Sequence, residues 1–217
     1  MLYSPPWGAY LLLSGNFDLT RLLLLTAAFL VAVAFHEANH AFVATALGDS
    51  TPRQAGRLSL NPMRHIDPMG ILFFIMVGVG WGWTPVNPAN LRPNPRLGSA
   101  LVAIAGPAAN LALAFLFSAP LRADVAMPSL LHQFLFVATS LNLLLFVFNL
   151  LPIPPLDGFS FLVGVLPRNL SEALHRLERV GPGIILVLFF AAQFLGVDLI
   201  GPVFVPVARA FGLAGLR

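Results

Sequence analysis

The chain has 217 residues, 58% of them hydrophobic and only 10% charged, with a formal net charge of +3. A soluble fold of this length cannot hide so much apolar surface, and twelve scattered basic residues, all arginine, do not make the dense basic face that nucleic-acid binding needs. The absence of cysteine rules out disulfides and thiolate metal sites.

The opening "MLYSPPWGAYLLLSGNF" has no basic region ahead of its apolar part, so it does not read as a cleaved signal peptide. Residues 9–13 read as a short strand or an interfacial segment. The first strong apolar run covers about residues 19–47, with Arg21 at one end and Gly48-Asp49 at the other. That is long enough to cross a bilayer with some tilt. The polar stretch "GDSTPRQAGRLSLNPMRHIDPMG" follows, carrying Arg53, Arg57 and Arg64. A shorter apolar piece, about 71–80, is too short for a full span and fits a re-entrant or partly inserted segment. "WGWTPVNPANLRPNPR" is too rich in proline and asparagine for regular helix, and Trp81 and Trp83 suit an interfacial belt.

A second span covers about 97–121 and contains "AGPAANLALAF"; a third covers about 130–151 and is stopped by the prolines of "NLLPIPPLDG". A short apolar piece, 159–166, precedes "PRNLSEALHRLERVGPG". This reads as an interfacial amphipathic helix, with Leu170, Leu174 and Leu177 on one face and Glu172, Arg176 and Arg179 elsewhere. A last apolar segment starts near 183 and is broken by Asp198, Pro202 and Pro206. The expected fold is an all-α polytopic membrane protein, a bundle of about four to six transmembrane or re-entrant segments with a strand-like Pro/Asn-rich loop. It forms one domain over 1–217, with a core at about 19–166 and C-terminal apolar segments at 181–217.

The arginines set the orientation. The side on which the first span ends holds Arg53, Arg57, Arg64, Arg92 and Arg96, joined by Arg168, Arg176 and Arg179 if the third span ends there too; the other holds Arg21 and Arg122. The positive-inside rule makes the arginine-rich side cytoplasmic.

Inside the first span, "HEANH" places His36, Glu37 and His40 among apolar neighbours. Residues four apart share a helix face, so both imidazoles can reach one ion. Glu37 is turned about 100° away from His36 and lies beside that ion, where a carboxylate can take a proton from water. The alternative is three satisfied core residues that match a motif by accident. With five histidines and three glutamates in the chain, such a match is rare. Ionisable groups at membrane depth also cost at least ~2.5 kcal/mol each on insertion scales for charged residues.

A catalytic zinc site usually takes three protein ligands. His65, Asp67 and Asp157 are the candidates for the third. His132 falls on the wrong side, and Glu172, His175 and Glu178 belong to the interfacial helix. Asp157 is favoured: it is the only acid between Val125 and Arg168, prolines fix the backbone before it, and Gly158 allows a close approach after it. A helix N-cap is its other reading. Asn110 and Asn149 are candidate substrate or oxyanion donors, with interhelical hydrogen bonding as the alternative. Asn142, seven residues before Asn149, reads as a packing residue.

"HEANH" in a first span, paired with the N-x-x-P-x-P-x-L-D-G pattern at Asn149, Pro152, Pro154, Leu156, Asp157 and Gly158, resembles the site-2 protease family of intramembrane zinc metalloproteases. "NPMRHIDPMG", "PVNP" and "AGPAAN" also look like family segments, so the resemblance covers about 28–160. It resembles the compact form, with no room for a PDZ or CBS domain. The resemblance implies one zinc ion held by His36, His40 and Asp157, with Glu37 as general base. It also implies hydrolysis of a peptide bond within or near a transmembrane helix of a membrane-protein substrate, on the cytoplasmic side of the cell membrane. The partners implied are that substrate and the lipid bilayer, with no nucleic acid. Residues 84–95 would offer strand-like edges to an unwound substrate. Three other readings compete: a membrane metal transporter or metal-binding protein, a metal-bound but proteolytically inactive homologue, and a zinc hydrolase of lipid or prenylated substrates. The first does not need a glutamate beside the first histidine.

Overall fold

The computed structural model describes residues 18–65, 67, 70, 74, 80–178 and 201–213, with scattered positions between 180 and 198. Among them are seven α-helices and no strand. Three are long and apolar enough to cross a membrane: α1 (Leu19–Ala46), α3 (Pro95–Arg122) and α4 (Ser129–Asn149). The others are α2 (Thr51–Gln54), α5 (Asp157–Val165), α6 (Arg168–Glu178) and α7 (Gly201–Ala210). Most of the expected re-entrant piece at 71–80 and of the last apolar segment from 183 lies outside the described residues.

Local sequence sets the ends of these helices. Asp18 caps α1, its carboxylate accepting from Arg21 N. At the far end Gly48 adopts φ +102°, the left-handed turn that glycine makes without strain. Asn94 caps α3, accepting from Arg96 N and Leu97 N, with Pro95 in the first turn where its missing N–H costs nothing. α4 stops at Asn149 because Pro152, Pro154 and Pro155 follow.

α1 and α4 both pack against α3 and run antiparallel to it. Alanines 28, 32, 34, 41 and 44 on the buried side of α1 let neighbouring backbones come close. A cluster of Leu25, Phe29, Val33, Phe74, Ala138 and Leu141 joins α1 to α4, with the Phe29 and Phe74 rings stacked at 3.8 Å. A second cluster seats Phe204 and Ala208 of α7, and Phe211 just after it, against Ala114 and Leu143. Leu23, Phe42 and Leu116 point outward, as lipid-facing residues do.

The third span ends at the prolines as expected, and the chain continues beyond them as the separate short helix α5. α5 resumes at the level of Gly106 and runs along α3 to Arg96, where Gly164 packs on Ala100 and on the Arg96 carbonyl. α4, the break at 150–156 and α5 therefore follow one another along α3. The prolines open the helix there, and Gly158 lets the chain re-enter: a Cβ on it would lie 2.2 Å from Leu150 O. The Arg96 guanidinium donates to Leu166 O and Val163 O at the C-terminus of α5.

α6 is the expected amphipathic helix, with Leu170 and Leu177 exposed and Arg168 paired to Glu172 at 3.0 Å. The segment 84–95 carries a 3-10 turn, Pro88–Asn90, and no strand. It is held by Asp49, which is fully buried and accepts from Thr51 N and Oγ1, Asn87 N and Asn90 Nδ2. Burial pushes the Asp49 carboxyl up. The hydrogen bonds from the Thr51 hydroxyl, Asn87 and Asn90 outweigh that and hold it below the usual carboxylate range.

Candidate metal centre

Helical spacing puts His36 and His40 on the inner face of α1, each 8% exposed. The break between α4 and α5 brings Asp157 to them. Asp157 Oδ2 lies 3.1 Å from His36 Nε2 and 3.4 Å from His40 Nε2, and the two Nε2 atoms are 3.0 Å apart. Among the described residues this is the one group of three such side chains placed to hold a metal ion.

The protons show what the three atoms face. His40 Nδ1–H donates to Val102 O at 2.7 Å, and a carbonyl can only accept. His36 Nδ1–H donates to Asn110 Oδ1 at 2.6 Å. In the neutral imidazoles both Nε2 atoms are then acceptors, and Asp157 Oδ2 is a buried acceptor with no hydrogen-bond donor. Three lone pairs converging in an apolar interior repel one another unless a cation sits among them. Ligand atoms about 2.0–2.1 Å from a tetrahedral ion lie about 3.3 Å from each other, and the three separations here bracket that value. The donor set and its geometry fit zinc.

α3 leaves room for the ion. A Cβ on Gly106 would sit 2.3 Å from His40 Nε2 and 2.6 Å from His36 Nε2. Sequence patterning did not single out Gly106 or the Val102 carbonyl. A glycine inside an apolar helix hints at close packing, whereas a backbone acceptor leaves no trace in residue identity.

Glu37 is 8% exposed and faces a strap formed by Trp81, Gly82 and Trp83. A Cβ on Gly82 would be 2.8 Å from Glu37 Oε1, and Thr84 Oγ1 donates to Glu37 O at 3.2 Å. The other candidates stand apart. His65 is fully buried with Nε2 on Ser59 O at 2.5 Å, and Asp67 Oδ1 accepts from Gly70 N. His132 is exposed in the first turn of α4, and His175 pairs with Glu178 on α6. Asn149 is half-buried and donates to Leu145 O. Asn110 is fully buried; its Nδ2 donates to Asn142 Oδ1 and Ala32 O, so both of its amide protons are in use.

A family model described as Peptidase family M50 matches residues 118–191. A Bacillus subtilis (strain 168) protein named as a zinc metalloprotease, YwhC, is 41% identical over 170 residues, covering 74% of this chain and 77% of its own. A Mycobacterium tuberculosis (strain ATCC 25618 / H37Rv) protein named as a zinc metalloprotease, Rip2, is 34% identical over 179 residues, covering 78% of this chain and 68% of its own. No solved structure matches the chain. With its interrupted helical bundle and its cluster of two histidines and an aspartate, the chain belongs to the M50 peptidases, the site-2 protease family of zinc metalloproteases.

Proposed function

We propose that this protein hydrolyses a peptide bond within or near a transmembrane segment of a membrane-protein substrate, on the cytoplasmic side of the cell membrane. In this reading His36, His40 and Asp157 hold one zinc ion and Glu37 is the general base. The observation that carries it is the meeting of three bare ligand atoms, 3.0–3.4 Å apart, inside a bundle of membrane-length helices. The arginine distribution supports the siding.

Bound there, zinc would supply a Lewis acid that acidifies water and polarises the scissile carbonyl. The protein's own groups do the rest. Glu37 takes a proton from the attacking water and delivers it to the leaving amide nitrogen, which then departs as a neutral amine. Asn149, one loop ahead of Asp157, is the donor for the developing oxyanion, because Asn110 has no amide proton to spare. A helical substrate must first unwind to present its carbonyl, since in a helix that carbonyl is bonded to the substrate's own amide.

The test uses purified full chain in detergent with a transmembrane peptide substrate. Wild type should hold about one zinc and cut. Glu37→Gln should keep zinc and lose roughly 10²–10⁴-fold in rate. Asp157→Ala should lose zinc. Cleavage by Glu37→Gln at the wild-type rate would sink the base assignment. Zinc retained in Asp157→Ala would move the third ligand elsewhere, and a transporter would survive Glu37→Gln.

A further inference from the structure

Asn110 and Asn142 are each fully buried, on α3 and α4, and neither is one of the proposed metal ligands. Their orientations are fixed by a chain of bonds that starts on a backbone carbonyl. Asn142 Nδ2 donates to Ala138 O at 2.8 Å, so its Oδ1 is the atom facing Asn110. That oxygen accepts from Asn110 Nδ2 at 2.9 Å, and the same nitrogen donates to Ala32 O at 3.3 Å. Asn110 Oδ1 is therefore turned toward His36 Nδ1, at 2.6 Å. Reversing either amide would set two donors or two acceptors against each other in an apolar interior, at roughly 1–3 kcal/mol for each group left unsatisfied.

We propose that Asn142 and Asn110 are positioning residues that lock His36 in the tautomer presenting Nε2 as a ligand, and thereby set the zinc affinity of the site. This rests on the ligand assignment proposed above. Interhelical adhesion alone would need only the Asn110–Asn142 pair. The short bond to His36, running through the one atom of Asn110 that the pair does not use, is what adhesion does not require. α4 carries the amide that orients His36, and the chain that follows it through the break carries Asp157 on α5.

The experiment is a competition titration of the zinc-free full chain in detergent against a chromophoric zinc chelator, beside thermal unfolding of the zinc-free protein. Asn110→Ala should weaken zinc binding about 10–100-fold, as loss of a histidine's outer partner does. Asn142→Ala should weaken it in the same direction by less. Wild-type zinc affinity in both alanine variants, with only a lowered zinc-free Tm, would overturn the proposal and leave the pair as packing. If Asn110→Ala does not fold, Asn142→Ala decides between the same two outcomes. Wild type that takes up no zinc would instead overturn the ligand assignment itself, and this inference with it.

Discussion

Gly106 on α3 faces His40 on α1 so closely that a Cβ on the glycine would sit 2.3 Å from the imidazole Nε2. The missing side chain is thus part of the site: it leaves the space in which both Nε2 atoms converge. Gly106→Ala should leave helix α3 intact, since alanine favours helix more than glycine does by about 1 kcal/mol. The methyl group would displace both imidazoles from the positions that meet Asp157. The expected outcome is a folded protein, by circular dichroism, with little bound zinc and no cleavage. Full zinc content in Gly106→Ala would mean that the two helices separate at small cost.

Asp157 enters the site from the first turn of α5, and the other end of that helix is held by Arg96. The guanidinium satisfies last-turn carbonyls that have no partner within the helix. Arg96→Met should loosen α5 and cost about 1–3 kcal/mol of stability, in the range of hydrogen bonds to a charged group. Asp157 would then be less well placed, so zinc affinity should fall while the His36–His40 pair stays intact. Arg96→Lys, which keeps a charged donor on a differently shaped side chain, should recover part of the loss. Unchanged unfolding and zinc affinity in Arg96→Met would remove this link.

Much of this was legible in the residues because membrane physics writes large signals. Spans of 21–28 residues announce themselves by hydropathy, and His36, Glu37 and His40 stand out because ionisable groups are so costly among them. Asp157 could be favoured by its isolation in an apolar stretch, but its path to the histidines could not be read. The prolines marked the end of α4 correctly, but that the short helix beyond them packs along α3 beside the histidines leaves no mark in the residues. Asn110 and Asn142 carried the least information: an intramembrane asparagine can serve substrate, neighbouring helix or ligand, and only the bond directions separate these. The strand-like expectation for 84–95 came from proline content. The structure instead ties that segment down by side-chain bonds to Asp49 and a 3-10 turn.

Asp49 predicts an acid dependence. Its folded carboxyl is held below the usual range, so its ionised form stabilises the fold above the unfolded value near ~3.9, and that contribution fades as pH falls through the lower folded value. Asp49→Asn should destabilise the protein by about 1–3 kcal/mol at neutral pH, since an amide cannot replace a carboxylate that accepts four bonds. Thermal unfolding of the two proteins in detergent should show a constant gap from pH 7 to about pH 4, narrowing below. A gap that closes already between pH 7 and 5 would assign the effect to another group.

The siding of the site can be decided with the protein's own lack of cysteine, which makes every introduced thiol unique. Gln54 in α2 and Ala123 after α3 are both exposed and lie beyond opposite ends of the bundle. If the arginine-rich side is cytoplasmic, Gln54→Cys should resist a membrane-impermeant thiol reagent in intact cells and react in inside-out vesicles. Ala123→Cys should do the reverse. Neither exchange removes a charge, so the arginine imbalance that sets orientation is unchanged. His40 stands six residues before the end of α1 on the Gln54 side, so the pattern also locates the chemistry. Labelling of Gln54→Cys from outside intact cells would place the site on the external half of the membrane and overturn the cytoplasmic assignment.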